Sequence, residues 1–306
     1  MDKPELAILM CTYNGEGFIS DQINSIFDQE FKNWHLWVSD DNSQDNTLGV
    51  IKTHPKYNSN KVSIVSGPCK GFSENFKSLI HTVPLQSDFF AFSDQDDIWL
   101  PDKLERATDF LKKIPSTVPA MYCSGTELID ENNAAIGFSP RYRKKPSFKN
   151  ALLQNIGSGN TMVFNRRALE LLRIATSVDF VIHDWALYLA VSACGGSIFF
   201  DENVSVRYRQ HQANLIGNGM SLRRRIDNFI KAYQWRRYEW NTKNIAMLSA
   251  LTSFMTPESR NTLEYFSSIR NGCIYKRWVN LHRSGVYHQQ AIGMLTTIAL
   301  TLSNRM

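Results

Sequence analysis

The stretch Phe92-Ser93-Asp94-Gln95-Asp96-Asp97-Ile98-Trp99 follows an apolar run, Phe89 to Phe92, and precedes Leu100-Pro101-Asp102-Lys103-Leu104, which reads as a helix start. Asp94, Asp96 and Asp97 therefore sit where a buried strand should end. Repulsion among charges this close raises their pKa values unless a cation or hydrogen-bond donors compensate. Oxygen ligands in a tight cluster suit a hard divalent ion, Mg²⁺ or Mn²⁺, of the kind that also holds a phosphate. Acids decorating a helix N-terminus are the simple alternative.

The elements around this stretch tell how it is placed. Leu6 to Cys11 is a continuous apolar run, the pattern of a strand buried on both faces. It ends in the turn-rich Thr12-Tyr13-Asn14-Gly15-Glu16-Gly17, and Phe18, Ile19, Ile23, Ile26 and Phe27 then recur at helical spacing. Leu36-Trp37-Val38 is a second strand, closed by Ser39-Asp40-Asp41-Asn42-Ser43, with Asp45 a candidate cap for the next helix. A strand over 62–65, a helix over 72–83, a strand over 89–92 and a helix over 101–113 complete the series. Such alternation predicts an α/β fold with a mostly parallel, doubly wound sheet, whose ligands bind beyond the carboxyl ends of the strands. Thr12 to Glu16, Asp40-Asp41 and Asp94-Asp96-Asp97 then collect on one rim.

Beyond residue 113 the pattern is less regular. A strand is expected over 121–125, a long loop over 131–149, and a strand at Met162-Val163-Phe164 before a helix over 167–174. His183-Asp184-Trp185 opens an apolar helix to Ala193, and two strands follow over 197–200 and 204–208, ending in Arg209-Gln210-His211. From Ser221 the chain reads as helical, with Ile226, Phe229, Ile230, Tyr233, Trp240, Met247, Leu248 and Leu251 on one face; Thr256-Pro257-Glu258 starts another helix.

The 306 residues are 43% hydrophobic and 21% charged, an ordinary globular composition able to bury a sizeable core. Charge is unevenly shared. Residues 1–219 hold 21 Lys and Arg against 25 Asp and Glu, while residues 220–306 hold 13 against 4. A basic tail of this kind faces an anionic surface, either a membrane leaflet or nucleic acid. The acidic rim of the main part argues against nucleic acid. The five cysteines are scattered, odd in number and without metal spacing, which points to reduced thiols in the cytoplasm. Met1 to Met10 lacks the shape of a signal peptide, and no stretch approaches the ~20 apolar residues of a membrane span.

Four pieces in order and register resemble the family-2 inverting glycosyltransferases of the GT-A fold, nearest to bacterial rhamnosyltransferase-like enzymes of surface polysaccharides such as O-antigen. They are Leu9 to Gly15; Val38 to Asp45; Ser93 to Trp99 with Pro101-Asp102-Lys103; and His183-Asp184-Trp185. The likeness spans about residues 5–217, giving a catalytic domain over 1–219 and a helical extension over 220–306. It implies a nucleotide base against Tyr13, with Thr12, Asn14 and Glu16 nearby and Asp41 accepting from the base N3–H. Asp94 and Gln95 belong to the donor site, with Asp94 meeting the ribose. Asp96 would meet the metal, with Asp97 in support, and His211 would ligate the metal or contact the diphosphate. Asp184 is the implied general base, and Gly157-Ser158-Gly159-Asn160 would bring flexible backbone to the acceptor. Simple structural readings stay open beside these: a core aromatic for Tyr13, a helix cap for Asp40, an N-terminal helix acid for Asp184, a surface side chain for His211.

The implied reaction moves a sugar from dTDP-rhamnose or a UDP-hexose to a glycan or lipid-linked acceptor. Two other readings share the sheet: a sugar-1-phosphate nucleotidyltransferase, which would want an Arg-bearing loop after the first strand, and a non-catalytic nucleotide- or glycan-binding module. The last 87 residues match no motif. There Arg223, Arg224, Arg225, Lys231, Arg236, Arg237 and Lys243 interleave with Tyr233, Trp235, Tyr238 and Trp240, a pattern suited to an anionic membrane or to a helix packed on the catalytic domain or on a second subunit.

Overall fold

The computed structural model describes residues 5–210 and 222–306, the latter with side chains from residue 236 onward. In chain order the elements are β1 (Leu6–Thr12), α1 (Ile19–Phe27), β2 (Trp34–Asp40), α2 (Thr47–Thr53), β3 (Val62–Ser66), α3 (Phe72–Thr82), β4 (Phe89–Ser93), β5 (Ile98–Trp99) and α4 (Lys103–Leu111). There follow β6 (Ala120–Ile129), β7 (Ala135–Phe138), α5 (Phe148–Ala151), a 3-10 turn (Gly159–Thr161), β8 (Val163–Asn165), α6 (Arg166–Ala175), α7 (His183–Ala193) and β9 (Ser197–Arg209). Four helices close the chain: α8 (Leu222–Ser249), α9 (Pro257–Ser268), α10 (Ile274–Ser284) and α11 (Ala291–Leu302).

Every residue of β1 is buried. Ala7, Leu9 and Cys11 enter one apolar cluster while Leu6, Ile8 and Met10 enter the other, the period-two alternation of a strand covered on both faces. Full burial of each Leu or Ile contributes about 1.5–3 kcal/mol, so this strand belongs at the centre. It does lie there. The nine-stranded sheet runs β3-β2-β1-β4-β8-β6-β9-β5, with β7 paired to β6. The β1–β2, β1–β4, β2–β3 and β6–β9 ladders are parallel and carry most of the pairing, as the strand-helix alternation predicts.

Register sets the rim. Thr12 pairs with Asp40 and Met10 with Ser93, so the loops after β1, β2 and β4 leave the sheet side by side. Those loops flank β1, from which the chain order runs outward in both directions, the place where open α/β sheets take their ligands.

Several expectations are corrected. Ile98 and Trp99 form β5 against Val206 and Arg207 of β9, a strand too short to show any periodicity. The expected loop over 131–149 contains β7 and α5. Asp130 Oδ1 accepts from the amides of Asn132 and Ala134, and this turn sends the chain back along β6. The two strands expected over 197–208 are one, β9. Its polar middle is absorbed by a register shift opposite Ser124 and Gly125 and by Asp201, which takes Tyr122 Oη at 2.7 Å and the Arg106 guanidinium at 2.5 Å. Asn46, not Asp45, precedes α2 as its cap residue, although Asp45 Oδ1 accepts from Thr47 N.

The C-terminal helices share the core of the sheet-bearing part. Met247, Leu248, Leu251, Met255, Phe266, Ile269, Leu281, Val286, Leu300 and Met306 join the cluster that holds α3, α6 and α7. Of the basic aromatic run, Arg237 and Trp240 pack at the Trp185 ring, both 5.9 Å from it, and Lys243 pairs with Asp179 at 3.2 Å. Arg223, Arg224, Arg225, Lys231, Tyr233 and Trp235 lie outside the described side chains, as do Ile226, Phe229 and Ile230. Among the described residues no helix is long and apolar enough to cross a membrane.

Candidate active site

The three rim loops are laced together by side chains. After β1, the Gly15 amide donates to Thr47 Oγ1 at 2.8 Å and the Asn14 amide to Ser43 Oγ at 3.0 Å. Asn14 Oδ1 accepts from Gln44 N, and Glu16 Oε2 from Asn46 N. Asn14 itself takes a left-handed φ of 49°. Asn14 and Glu16 thus hold the β1–α1 loop against the β2–α2 loop. Thr12 is buried, and its hydroxyl donates to Asp40 Oδ1 at 2.8 Å. Asp40 also takes the hydroxyl and amide of Ser43, so its carboxylate locks the turn after β2. Tyr13 alone of this group presents its ring, 56% exposed.

Asp41 faces the other way. Its two oxygens accept from the amides of Cys69 at 2.6 Å and Gly71 at 2.8 Å, which fixes the loop between β3 and α3. Each oxygen retains a further lone pair.

The acid cluster after β4 is organised around Asp97 and Gln95. Asp97 is fully buried; Oδ2 accepts from the Asn160 side chain and Oδ1 from the Arg209 amide at 3.1 Å. Burial, with Asp96 adding to it, pushes this carboxyl up to about 8 against those donors. Asp94, half-buried, is held well above the usual carboxylate range by burial first and then by Asp97, Asp96 and Asp184. Gln95 Oε1 accepts from Tyr13 N and its Nε2 donates to Tyr13 O. A Cβ at Gly15 would run into the Gln95 amide, so a side chain there would push Gln95 off its bonds to Tyr13.

Arg209 was legible only as part of the run before His211, and it proves central. Its guanidinium is 1% exposed. It donates to Asp96 O at 2.8 Å, Asn133 Oδ1 at 2.6 Å, Glu131 O at 3.2 Å and Asp21 Oδ2 at 3.1 Å. One side chain thereby joins the acid loop, the β6–β7 turn and α1. Lys103, the buried lysine of the expected helix start, lays Nζ 3.8 Å from the Trp99 ring centroid, and burial lowers its pKa to about 7.

Asp184 stands in the first turn of α7. Oδ1 accepts from Trp185 N at 2.6 Å and Oδ2 from Gly159 N at 3.1 Å. Burial outweighs these donors and the helix end, and the carboxyl is raised to about 6. His183, beside it, is neutral: burial lowers it to about 3, and its ring stacks on Phe76 at 3.8 Å. The segment 157–160, expected to offer backbone to an acceptor, bridges Asp184 and Asp97, Gly159 reaching Asp184 and Asn160 reaching Asp97. Asp184 raises Asp94, so the expected base and the acid cluster share one field.

Among the described residues no three His, Cys, Asp or Glu side chains are arranged as a metal cage, and His211 lies outside them. The oxygen side chains this rim would offer a divalent ion are those of Asp94, Asp96 and Asp97. Burial first, and then the neighbouring acids, raise Asp94 and Asp97, and a hard divalent ion bound at these oxygens would favour their charged forms.

Fold and rim define an α/β protein with acids gathered at the carboxyl ends of its central strands, and the comparisons with known proteins give its family. The sequence model for Glycosyl transferase family 2 matches residues 7–173, and the chain belongs to that family. It is 30% identical over 255 residues to the dTDP-rhamnosyl transferase RfbG of Shigella flexneri, covering 78% of this chain and 83% of that one. It is also 30% identical over 229 residues to the Escherichia coli UDP-Glc:alpha-D-GlcNAc-diphosphoundecaprenol beta-1,3-glucosyltransferase WfgD, covering 71% and 82%. In fold it is similar to S. aureus TarS 1–349 in complex with UDP-GlcNAc, with a TM-score of 0.52, 12% identity and coverage of 92% and 93%. The mannosyltransferase PcManGT from Pyrobaculum calidifontis, in complex with GDP-Man and Mn²⁺, gives a TM-score of 0.52 at 15% identity, covering 93% and 87%. Glycosyl transfer is therefore the activity of this chain.

Proposed function

We propose that the chain transfers a sugar with inversion from a nucleoside diphosphate, dTDP-rhamnose or a UDP-hexose, to a hydroxyl of a growing cell-surface glycan, free or lipid-linked. The observation that carries this reading is Asp184: a carboxyl raised to about 6, hence ionised at neutral pH, in the same field as Asp94. In this reading Asp184 takes the proton of the acceptor hydroxyl as its oxygen attacks the anomeric carbon. The bond from that carbon to the diphosphate breaks, and the nucleoside diphosphate leaves with the electron pair. Asp96, with His211, would hold Mg²⁺ or Mn²⁺, which when bound neutralises charge on the departing diphosphate. Asp94 meets the ribose, and Asp97, fixed by Asn160 and Arg209, sets the loop. The base stacks on the exposed Tyr13 ring, with the remaining lone pairs of Asp41 toward its N3–H. Thr12, Asn14, Glu16 and Gln95 act through the loop they hold. Residues 1–219 are the catalytic part in this reading and 220–306 a supporting extension, in a cytoplasmic protein. Support comes from RfbG and WfgD, which carry the names of a rhamnosyl and a glucosyl transferase.

The test is thermal shift with UDP, dTDP and GDP, with and without Mn²⁺, on the wild type and Asp96→Ala. A nucleotide at a hundred times its Kd adds about 2.7 kcal/mol of stability. A rise confined to one nucleotide, requiring Mn²⁺ and lost in Asp96→Ala, is expected. No rise with any nucleotide would leave a binding module without catalysis.

A further inference from the structure

The two last helices carry an apolar surface that the catalytic reading does not use. On α11, Ile292, Leu295, Ala299 and Leu302 recur at intervals of three and four and are exposed, Ile292 at 67% and Leu295 at 62%. Thr297, Leu300 and Thr301 on the opposite stripe are buried. The helix is thus apolar outward as well as anchored inward. On α10, Ile274, Tyr275 and Trp278 are also exposed, Tyr275 at 72%. The guanidinium of Arg277 donates to the carbonyls of Thr301 and Leu302, so the exposed ends of both helices meet there.

Charge selects the occupant. From residue 265 to 306 there is no Asp or Glu, while Arg270, Lys276, Arg277, Arg283 and Arg305 are all present. A second copy would bring cation against cation. An anionic bilayer would not.

We propose that α10 and α11 form a membrane-surface face, lying in the plane of an anionic leaflet with Ile292, Leu295, Leu302, Ile274 and Trp278 at the headgroup–acyl boundary. Twelve residues of α11 span about 18 Å, too short to cross the ~30 Å hydrocarbon layer but suited to lying along it. Exposed Trp and Tyr beside Lys and Arg are the composition of an interfacial helix. Leu281 of α10 and Leu300 of α11 pack in the same apolar cluster as α7, so docking would keep the sheet-bearing part at the leaflet.

Co-sedimentation of the full chain with vesicles tests this, comparing pure phosphatidylcholine with phosphatidylcholine containing phosphatidylglycerol. Binding to the anionic vesicles alone is expected, weakening with salt. It should fall about tenfold in Ile292→Glu/Leu295→Glu and in Lys276→Gln/Arg283→Gln, whose thermal unfolding should match the wild type. Equal binding to both vesicle types, binding to neither, or a self-associated wild type that Ile292→Glu/Leu295→Glu dissociates would overturn it. Nucleotide binding is read separately, so failure here leaves the donor-site reading intact.

Discussion

The side-chain amide of Gln95 is matched to the peptide of Tyr13, accepting from its N–H at 2.9 Å and donating to its carbonyl at 3.0 Å. This pair joins the loop that holds the acids to the loop that presents the exposed aromatic ring. Gln95→Glu keeps the acceptor but turns the donor into a second acceptor facing the Tyr13 carbonyl, at a cost of about 1–3 kcal/mol. The KM for nucleotide sugar should rise about tenfold, a 1.4 kcal/mol effect, with a smaller change in kcat. Steady-state kinetics against the donor check it; an unchanged KM would show that the clamp does not shape the donor site.

Asp184 fixes a pH dependence. Its carboxyl is raised to about 6 by burial, and a base must be ionised to act. The transfer rate should therefore be level above that pH and fall about tenfold per unit below it. Asp184→Asn should lose about 10²–10⁴-fold at neutral pH. In stability the sign is opposite: a raised carboxyl favours the fold below its unfolded pKa, and that contribution is lost as pH rises through about 6. A pH–rate profile beside a pH–melting profile separates the two.

Gly159 lends its amide to Asp184, and a Cβ there would lie 2.7 Å from His183 Nε2 and 3.3 Å from Asp184 Cβ. Gly159→Ala must shift the segment or the start of α7. Displacing a catalytic group by about 1 Å costs on the order of a hundredfold in rate. The loss should appear in kcat, with the nucleotide-induced thermal shift retained.

Arg209→Met removes donors from Asp96 O, Glu131 O, Asn133 and Asp21 at once. Breaking a buried charged network of this kind costs about 3–5 kcal/mol. The urea midpoint should fall accordingly, and Arg209→Lys should recover little, because an ammonium cannot reproduce the planar fork. An unchanged midpoint would remove Arg209 from the support of the acid loop.

The elements with strong patterns were legible in the sequence. β1, buried on both faces, read as an unbroken apolar run, and α1 and α6 showed their apolar stripes. Short pairings were not. Ile98 and Trp99 have too few residues for a period, and they become a strand only because β9 arrives beside them. The break at Asp201 to Asn203 looked like a strand end because its polar side chains find Arg106 and Tyr122 only after folding.

By itself, the sequence determined which residue types gather at the strand ends, since alternating strands and helices must bring the loops after β1, β2 and β4 to one rim. It also determined the charge of the C-terminal segment. What each acid does there was decided by tertiary structure. Asp40 takes Thr12 and Ser43 while Asp41 takes Cys69 and Gly71, although the two are neighbours in the chain. For Asp184, the contest between helix end and burial goes to burial. A carboxylate's pKa and partners depend on the groups within a few ångströms, and those groups come from distant parts of the chain.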